Sequence, residues 1–137
     1  MSVPKTRCNG RWTESRYRSF ITSMLRRGSM RWAVKSDVKM EARLPEKLRN
    51  KKGREVFHTT CSDCKSVVPE TESAIDHVSP VVDPTKGFTT WDDFIYRLFC
   101  EADNLQVLCN ECHTVKSNKE KAIAKARRKN EHTTSSK

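Results

Sequence analysis

Four of the six cysteines stand in two Cys-x-x-Cys pairs, a spacing that suits metal ligation. The first pair is Cys61 and Cys64, and the second is Cys109 and Cys112. Each pair can present two thiolates to a tetrahedral zinc ion from one tight turn, although a redox dithiol is an alternative use of such a pair. Four sulfur ligands fill every position around zinc, so this zinc is expected to stabilise the fold and not to hold a reacting water. Because the pairs lie far apart in the chain, the ion would join two separated parts of one domain.

A second group of chemically capable side chains follows the first cysteine pair: Asp76, His77, Asn104 and His113. Asp76 and His113 offer one oxygen and one nitrogen to a divalent ion and would leave positions for water and phosphate oxygens. An imidazole with an ordinary pKa of about 6.5 is neutral at cellular pH, so His77 can accept a proton. Successive strand residues point to opposite faces, so Asp76 and His77 share one site only if the strand ends or bulges there. Pro80 favours such an ending.

Two runs of sequence together resemble the HNH endonuclease family, whose fold is the ββα-metal fold. They are Ile75-Asp76-His77-Val78-Ser79-Pro80 and residues 103–116, which read DNLQVLCNECHTVK. The similarity covers residues 61–120. The N-terminal helical segment and residues 91–100 also resemble small HNH proteins encoded by tailed bacteriophages.

The resemblance implies a role for each residue of the second group. His77 would be the general base that takes a proton from water, and Asp76 would bind the catalytic metal. His113 would be the second protein ligand of that metal. Asn104 would hold the loop and the base in position.

The implied function is metal-dependent hydrolysis of DNA phosphodiester bonds, by nicking or by double-strand cleavage. Mg²⁺ or Mn²⁺ suits an open site rich in oxygen ligands, and one imidazole ligand also tolerates Ni²⁺ or Zn²⁺. One alternative is a non-catalytic zinc-ribbon module that only binds nucleic acid. Another is an accessory subunit of a phage DNA-packaging or processing complex that acts beside a terminase. The sequence leaves the oligomeric state open.

Charge and composition favour a polyanionic partner. The chain has 27 Lys and Arg against 17 Asp and Glu, a net charge of +10. The excess clusters at both ends, which suits double-stranded DNA through release of counterions from phosphates. Only 35% of the residues are hydrophobic and 32% are charged, so a stabilising metal is expected. The sequence shows neither a secretory signal nor an apolar run of the roughly 20 residues that a membrane span needs, which predicts a protein of the cytoplasm, that of the host cell if the gene is phage-encoded.

The N-terminal part is predicted to be a basic helical arm covering residues 1–54. Thr13 is the expected N-cap of a first helix, with Trp12 packing on Tyr17 and with Gly28 as its end. A second helix is predicted over residues 37–44. Residues 46–54 are rich in Lys and Arg and are interpreted as a basic linker or loop.

Residues 55–129 are predicted to form the nuclease domain, of class α+β. Strands are expected at 56–60, 66–68 and 73–77 in one small antiparallel sheet. An amphipathic helix capped by Thr90 is expected over residues 90–101, and a final helix over 113–128. Residues 130–137 are predicted to be a disordered tail.

Overall fold

The computed structural model describes residues 2–135, which fall into two compact units. The first unit ends at Trp32 and the second begins at Ala33. The sequence predicted the boundary after residue 54. Residues 33–54 instead lie in the second unit, which therefore carries more than the predicted nuclease domain.

The first unit is a short hairpin followed by a helix. Strands β1 (Lys5–Arg7) and β2 (Trp12–Thr13) pair antiparallel, and α1 (Glu14–Ser29) follows directly. The hydroxyl of Thr13 accepts a hydrogen bond from the backbone N–H of Arg16 at 3.1 Å. The predicted N-cap is therefore confirmed, because this bond satisfies one of the free N–H groups of the first turn.

The aromatic contact at the start of α1 differs from the prediction. Trp12 packs on Phe20, with ring centroids 5.3 Å apart. Its predicted partner, Tyr17, lies under the guanidinium of Arg7, whose Cζ is 4.1 Å from the ring centroid. The sequence predicted only the Tyr17 contact, and the packing of the hairpin on α1 instead brings Trp12 to Phe20.

Helix α2 (Ala33–Ala42) opens the second unit and is tied to it by specific side chains. Arg43 donates two hydrogen bonds to the carboxylate of Glu70, at 2.5 and 3.0 Å. The hydroxyl of Thr59 donates to the carbonyl of Ala42 at 3.1 Å. These bonds explain why the boundary between the units precedes α2. The helix also begins and ends earlier than the predicted 37–44 helix.

The segment predicted to be a basic linker contains a hairpin. Strand β3 (Leu48–Arg49) pairs antiparallel with β4 (Glu55–Val56). Lysine and arginine have little intrinsic preference for strands, so composition alone indicated a loop.

Four further strands make up the rest of the β structure in the described residues. Strand β5 (His58–Thr60) pairs with β6 (Val67–Pro69), and β7 (Ser73–His77) pairs antiparallel with β8 (Leu105–Cys109). The strands therefore pair two by two, instead of forming the single small sheet that was predicted. Strand β8 lies in a run for which no strand was predicted.

Helix α3 (Trp91–Leu98) begins as the sequence predicts. The hydroxyl of Thr90 accepts a hydrogen bond from the N–H of Asp93 at 3.1 Å, which confirms this cap. The helix buries Phe94 and Leu98 almost completely. Its end at Leu98 places a backbone carbonyl beside the second group of residues described above.

Helix α4 (Asn110–Ser135) starts directly after β8, earlier than the predicted 113–128 helix. It continues through residues 130–135, where a tail was predicted, and residues 136–137 lie outside the described part of the chain. Charged side chains dominate it. No helix in residues 2–135 is long and apolar enough to cross a membrane.

The described residues thus combine four α-helices with small antiparallel sheets, which agrees with the predicted α+β class at this level. A hydrophobic cluster of the second unit is formed by Cys61, Leu108 and Cys109, with Val68 and Cys112 packed against it. The succession of β7, β8 and α4 is the part that positions both groups of chemically capable residues.

Candidate functional site

The four paired cysteines converge on one point. Their sulfur atoms all lie within 4.8 Å of one another, and the Sγ atoms of Cys64 and Cys109 are 3.8 Å apart. Four Zn–S bonds of about 2.3 Å in a tetrahedron place neighbouring sulfurs about 3.8 Å apart. The cluster therefore has the size that a tetrahedral zinc ion requires and could hold such an ion.

Backbone hydrogen bonds shape the first cysteine turn. The N–H of Cys61 donates to the carbonyl of Ser66 at 2.9 Å, and the N–H of Lys65 donates to the carbonyl of Cys61 at 3.1 Å. Lys65 has a φ of +64°, the left-handed conformation that closes this turn. The N–H of Ser62 donates to the carbonyl of Val107 at 2.8 Å, which fixes the turn to β8.

The second cysteine pair lies at the junction between a strand and a helix. Cys109 is the last residue of β8, and Cys112 lies in the first turn of α4. The N–H of Cys112 points at the sulfur of Cys109, 3.5 Å away. The pair therefore needs no loop of its own, because the change from strand to helix brings the two thiols together.

Proton binding within the cluster is uneven. Burial raises the pKa of Cys61, but backbone N–H groups, including that of Cys109, lower it by more, to about 6. The pKa of Cys112 is raised, first by its contact with the sulfur of Cys109 and then by burial. One thiol thus ionises readily while another keeps its proton, and a metal that binds all four thiolates must displace that proton.

Asp76 and His113 are brought together by the succession of β7, β8 and α4. Asp76 lies in β7 opposite Gln106 of β8, and His113 lies in the first turns of α4. The Oδ1 of Asp76 is 3.8 Å from the Nε2 of His113. The carboxylate is 12% exposed and the imidazole 38% exposed, so a small ligand can reach the pair from the histidine side.

Two residues with no role assigned from the sequence, Gln106 and Lys116, contact Asp76. Gln106 donates to its Oδ2 at 3.1 Å, and the ammonium of Lys116 lies 3.0 Å from the same oxygen. Lys116 also donates to the carbonyl of His77 at 2.9 Å and to the carboxylate of Glu120. The spacing along α4 could have predicted Lys116 and Glu120, because residues three and seven positions after His113 lie on the same face of the helix.

The partners of Lys116 stabilise its protonated form. Burial lowers its pKa, but the hydrogen bonds with Glu120 and Asp76 raise it by more, so the net shift is upward. The lysine therefore stays protonated at neutral pH. Its ammonium holds one oxygen of Asp76 and leaves the other oxygen directed to His113.

His77 is the last residue of β7, and its ring has a different environment from that of Asp76. Its Nε2 is 3.1 Å from the carbonyl of Leu98, at the end of α3. A carbonyl can only accept, so Nε2 carries the hydrogen, and in the neutral ring the lone pair lies on Nδ1. Strand β7 ends at this residue, which is the condition under which the side chains of Asp76 and His77 can share one site.

Asn104 fastens the segment that follows β7. Its Oδ1 accepts from the N–H of Ser79 at 2.8 Å, and its Nδ2 donates to the carbonyl of Ser79 at 3.2 Å. Its own carbonyl accepts from the N–H of Val78 at 2.8 Å. These three bonds hold the segment that follows His77 against Asn104.

The two groups of residues differ in how complete they are as metal sites. Among the described residues, the four cysteines are the only set of three or more ligating side chains close enough to share an ion. Asp76 and His113 are a pair, and an ion held by them would take its other ligands from water or substrate. A groove of about 320 Å³ lies between α4 and the first cysteine turn; its lining includes Gln106 and Lys116, which contact Asp76, but neither Asp76 nor His113.

Comparison of this chain with protein families, with curated proteins and with solved structures finds no match in any of the three. A function for the chain has to be argued from its own residues and their geometry.

Proposed function

We propose that this protein is an HNH-type endonuclease that hydrolyses DNA and that its four-cysteine zinc site stabilises the fold. One observation carries the proposal. The order β7, β8, α4 sets Oδ1 of Asp76 3.8 Å from Nε2 of His113, with His77 adjoining Asp76 at the end of the strand. Asp76 and His113 could share a divalent ion, and His77 could take a proton from water; metal-assisted phosphodiester hydrolysis uses groups of these kinds.

The donor pair fits a catalytic divalent ion. Two ligands at about 2.1 Å from an octahedral ion lie about 3.0 Å apart, so Asp76 and His113 need to approach by less than about 1 Å. Such an ion, when bound, would supply a Lewis acid that neutralises charge developing on the phosphate. Mg²⁺ and Mn²⁺ suit the mixed set of one carboxylate, one imidazole and water.

Asp76 is prepared for this role by its neighbours. Gln106 and Lys116 both engage Oδ2, and this fixes the rotation of the carboxylate so that Oδ1 faces His113. A ligand held in this way loses little conformational freedom on binding, which favours a site with only two protein ligands.

His77 would act as the general base. The carbonyl of Leu98 selects the tautomer that carries hydrogen on Nε2, so the proton of the attacking water would go to Nδ1. Asn104 and Lys116 support the histidine through its backbone and the segment after it. The base would then be positioned by groups that take no part in the proton transfer.

Cleavage of supercoiled plasmid by the purified chain tests the proposal. Relaxed or linear product is expected with Mg²⁺ or Mn²⁺ and not with EDTA. His77→Ala should lower the rate at least roughly 100-fold, because base catalysis contributes about that much. Asp76→Asn should lower the rate at least as far, because it removes the carboxylate that would hold the catalytic ion. Asp37→Asn, the same change at an exposed position of α2, should leave the rate unaltered. Full cleavage by His77→Ala would refute the assignment.

The alternative is a four-cysteine module that binds nucleic acid without cutting it. It is favoured by the completeness of the cysteine cluster, and by the ammonium of Lys116, which already partly neutralises Asp76. Salt-sensitive DNA binding without cleavage under Mg²⁺, Mn²⁺ and Ni²⁺ would support this alternative. Cleavage that appears only when a terminase is added would support the accessory-subunit hypothesis.

A further inference from the structure

The hairpin of β3 and β4 concentrates positive charge on a small projecting element. Its two strands are joined by residues 50–54, and we call residues 47–56 the basic ribbon. Within it, the cationic residues outnumber the acidic one, Glu55, by five to one. The five cations are Lys47, Arg49, Lys51, Lys52 and Arg54, and all five are exposed.

The turn of the basic ribbon is held in one conformation by its own hydrogen bonds. The side-chain oxygen of Asn50 accepts from the N–H groups of Lys52 and Arg54, both at 3.0 Å. The N–H of Asn50 donates to the carbonyl of Arg54 at 2.8 Å. Gly53 has a φ of +80°, a conformation that other residues rarely adopt. Charges carried on this turn are therefore displayed in a fixed arrangement.

No acidic side chain balances these charges within the described part of the chain. None of the five cations forms an ion pair with another residue in the range 2–135, whereas Arg43 and Lys39 nearby both pair with Glu70. Arg49 makes one neutral contact, from its Nη1 to the carbonyl of Gly53 at 3.3 Å. Like charges repel one another, so their collection on one hairpin favours binding of an external polyanion.

The basic ribbon is fastened to the second unit at its base. The ring of Phe57, directly after β4, is covered by the guanidinium of Arg43 at 3.9 Å and approached by the ammonium of Lys47 at 4.7 Å from the centroid. The carbonyl of Phe57 accepts from the N–H of Glu70 at 2.9 Å. The ribbon thus belongs to the same compact unit as Asp76 and His77.

We propose that the basic ribbon binds the phosphate backbone of double-stranded DNA and holds the duplex on the second unit. This inference rests on the proposed function, because it names the element that holds that substrate. Exposed Lys and Arg collected on one hairpin complement the charge of a polyanionic duplex, and phosphate contacts help to position a duplex without reading its sequence.

The test is the salt dependence of binding to a fluorescent 20-base-pair DNA duplex, measured by anisotropy with no Mg²⁺ or Mn²⁺ added, so that no cleavage occurs and the cysteine site keeps its ion. The variant Lys51→Gln/Lys52→Gln/Arg54→Gln should bind roughly tenfold or more weakly at about 0.1 M salt. Its slope of log affinity against log salt should be smaller by about 2.7, since each lost phosphate contact removes about 0.9. An unchanged slope would overturn the proposal.

Two further variants separate this proposal from an effect of net charge. Lys5→Gln/Arg27→Gln/Arg31→Gln removes the same charge from exposed positions of the first unit and should change the slope by less than about 1. Equal losses in both triple variants would overturn the proposal. The charge-conserving Lys51→Arg/Lys52→Arg/Arg54→Lys should retain the wild-type affinity, and a loss there would mean that folding and not charge was affected.

The failure of this inference is distinguishable from the failure of the proposed function. With Mn²⁺ and enough protein to restore binding, the Gln triple variant should still cut plasmid, because Asp76 and His77 are untouched. Asp76→Asn should show the reverse behaviour, with normal DNA affinity and no cleavage. A wild-type chain that cuts DNA while the ribbon variant binds normally would reject the ribbon and keep the nuclease.

Discussion

The neighbours of Asp76 determine which of its oxygens could bind the proposed catalytic ion. Its two oxygens have different neighbours: Oδ2 receives Gln106 and Lys116, while Oδ1 faces His113. An isolated carboxylate rotates freely and divides its time between both oxygens. Here the cation on one oxygen fixes which oxygen is available to an ion.

Removal of that cation should therefore impair cleavage. Lys116→Met keeps the aliphatic stem and deletes the ammonium, and we expect plasmid cleavage to fall roughly 10- to 100-fold, as for other residues that orient metal ligands. Zinc content and thermal stability should change little by comparison. Lys119→Met is the matched control, because it removes the same charge from the same helix at a position that does not contact Asp76. Equal activity of the two variants would contradict the role of Lys116.

At the scale of elements, the attachment of α2 decides where the second unit begins. Glu70 lies in the short turn before β7. It forms ion pairs with Lys39 of α2 and with Arg43, the residue that follows α2. The hydrogen bond from Arg43 outweighs burial and lowers the pKa of Glu70 to about 2. The ion pairs of Glu70 therefore join α2 to the segment before β7, which is distant from it in sequence.

The pH dependence of stability follows from this pKa. The ordinary value is 4.5 and the folded value is about 2, so the unfolded chain binds the proton more tightly. The stabilisation is complete above pH 4.5 and is lost as the pH falls towards 2. We expect Glu70→Gln to lower the free energy of unfolding by roughly 2 kcal/mol at pH 7 and by much less at pH 3, measured by urea titration.

The neighbouring Glu72 provides the comparison for that experiment. It is exposed and forms no ion pair with the residues described, so Glu72→Gln should change the stability by less than about 0.5 kcal/mol at either pH. A difference between wild type and Glu70→Gln that stays constant from pH 7 to pH 3 would mean that the ion pair does not stabilise the fold.

At the scale of the whole molecule, the cysteine cluster joins parts of the second unit that are far apart in the chain. Cys61 and Cys64 follow β5, while Cys109 and Cys112 span the junction of β8 with α4. Cys61, Cys109 and Cys112 also belong to the hydrophobic cluster around Leu108, whereas Cys64 is exposed. Loss of a metal bound by the four cysteines would remove a crosslink and leave unligated thiols in this cluster.

Zinc removal should accordingly destabilise the second unit as a whole. We expect Cys112→Ser, or treatment with a strong chelator, to lower the free energy of unfolding by at least about 3 kcal/mol and to release about one zinc ion per chain. Thermal melts and metal analysis check this. Cys8→Ser changes an exposed cysteine of the first unit and should retain both the zinc and the melting temperature. Normal stability and full zinc content in Cys112→Ser would count against a four-cysteine site.

The sequence by itself determined the features that depend on a few neighbouring residues. The Cys-x-x-Cys pairs could be recognised because a tight turn brings together residues three positions apart. The caps at Thr13 and Thr90 were predictable for the same reason, since each hydroxyl bonds to an N–H three residues ahead. The grouping of Asp76, His77, Asn104 and His113 came from a resemblance, and their roles in cleavage stay a prediction.

The tertiary structure alone decided the features that depend on partners far away in the chain. Arg43 finds Glu70 across 27 residues, and Lys116 finds Asp76 across the whole of α3 and β8. No local pattern specifies such pairs, because many lysines and arginines in the chain could pair equally well with each carboxylate. The packing of the strands and helices decides which cation lies close enough to do so. The same holds for the basic ribbon. Its composition predicted a loop, whereas the structure pairs β3 with β4. Local spacing therefore predicted which residues are chemically capable, and long-range packing decided which of them meet.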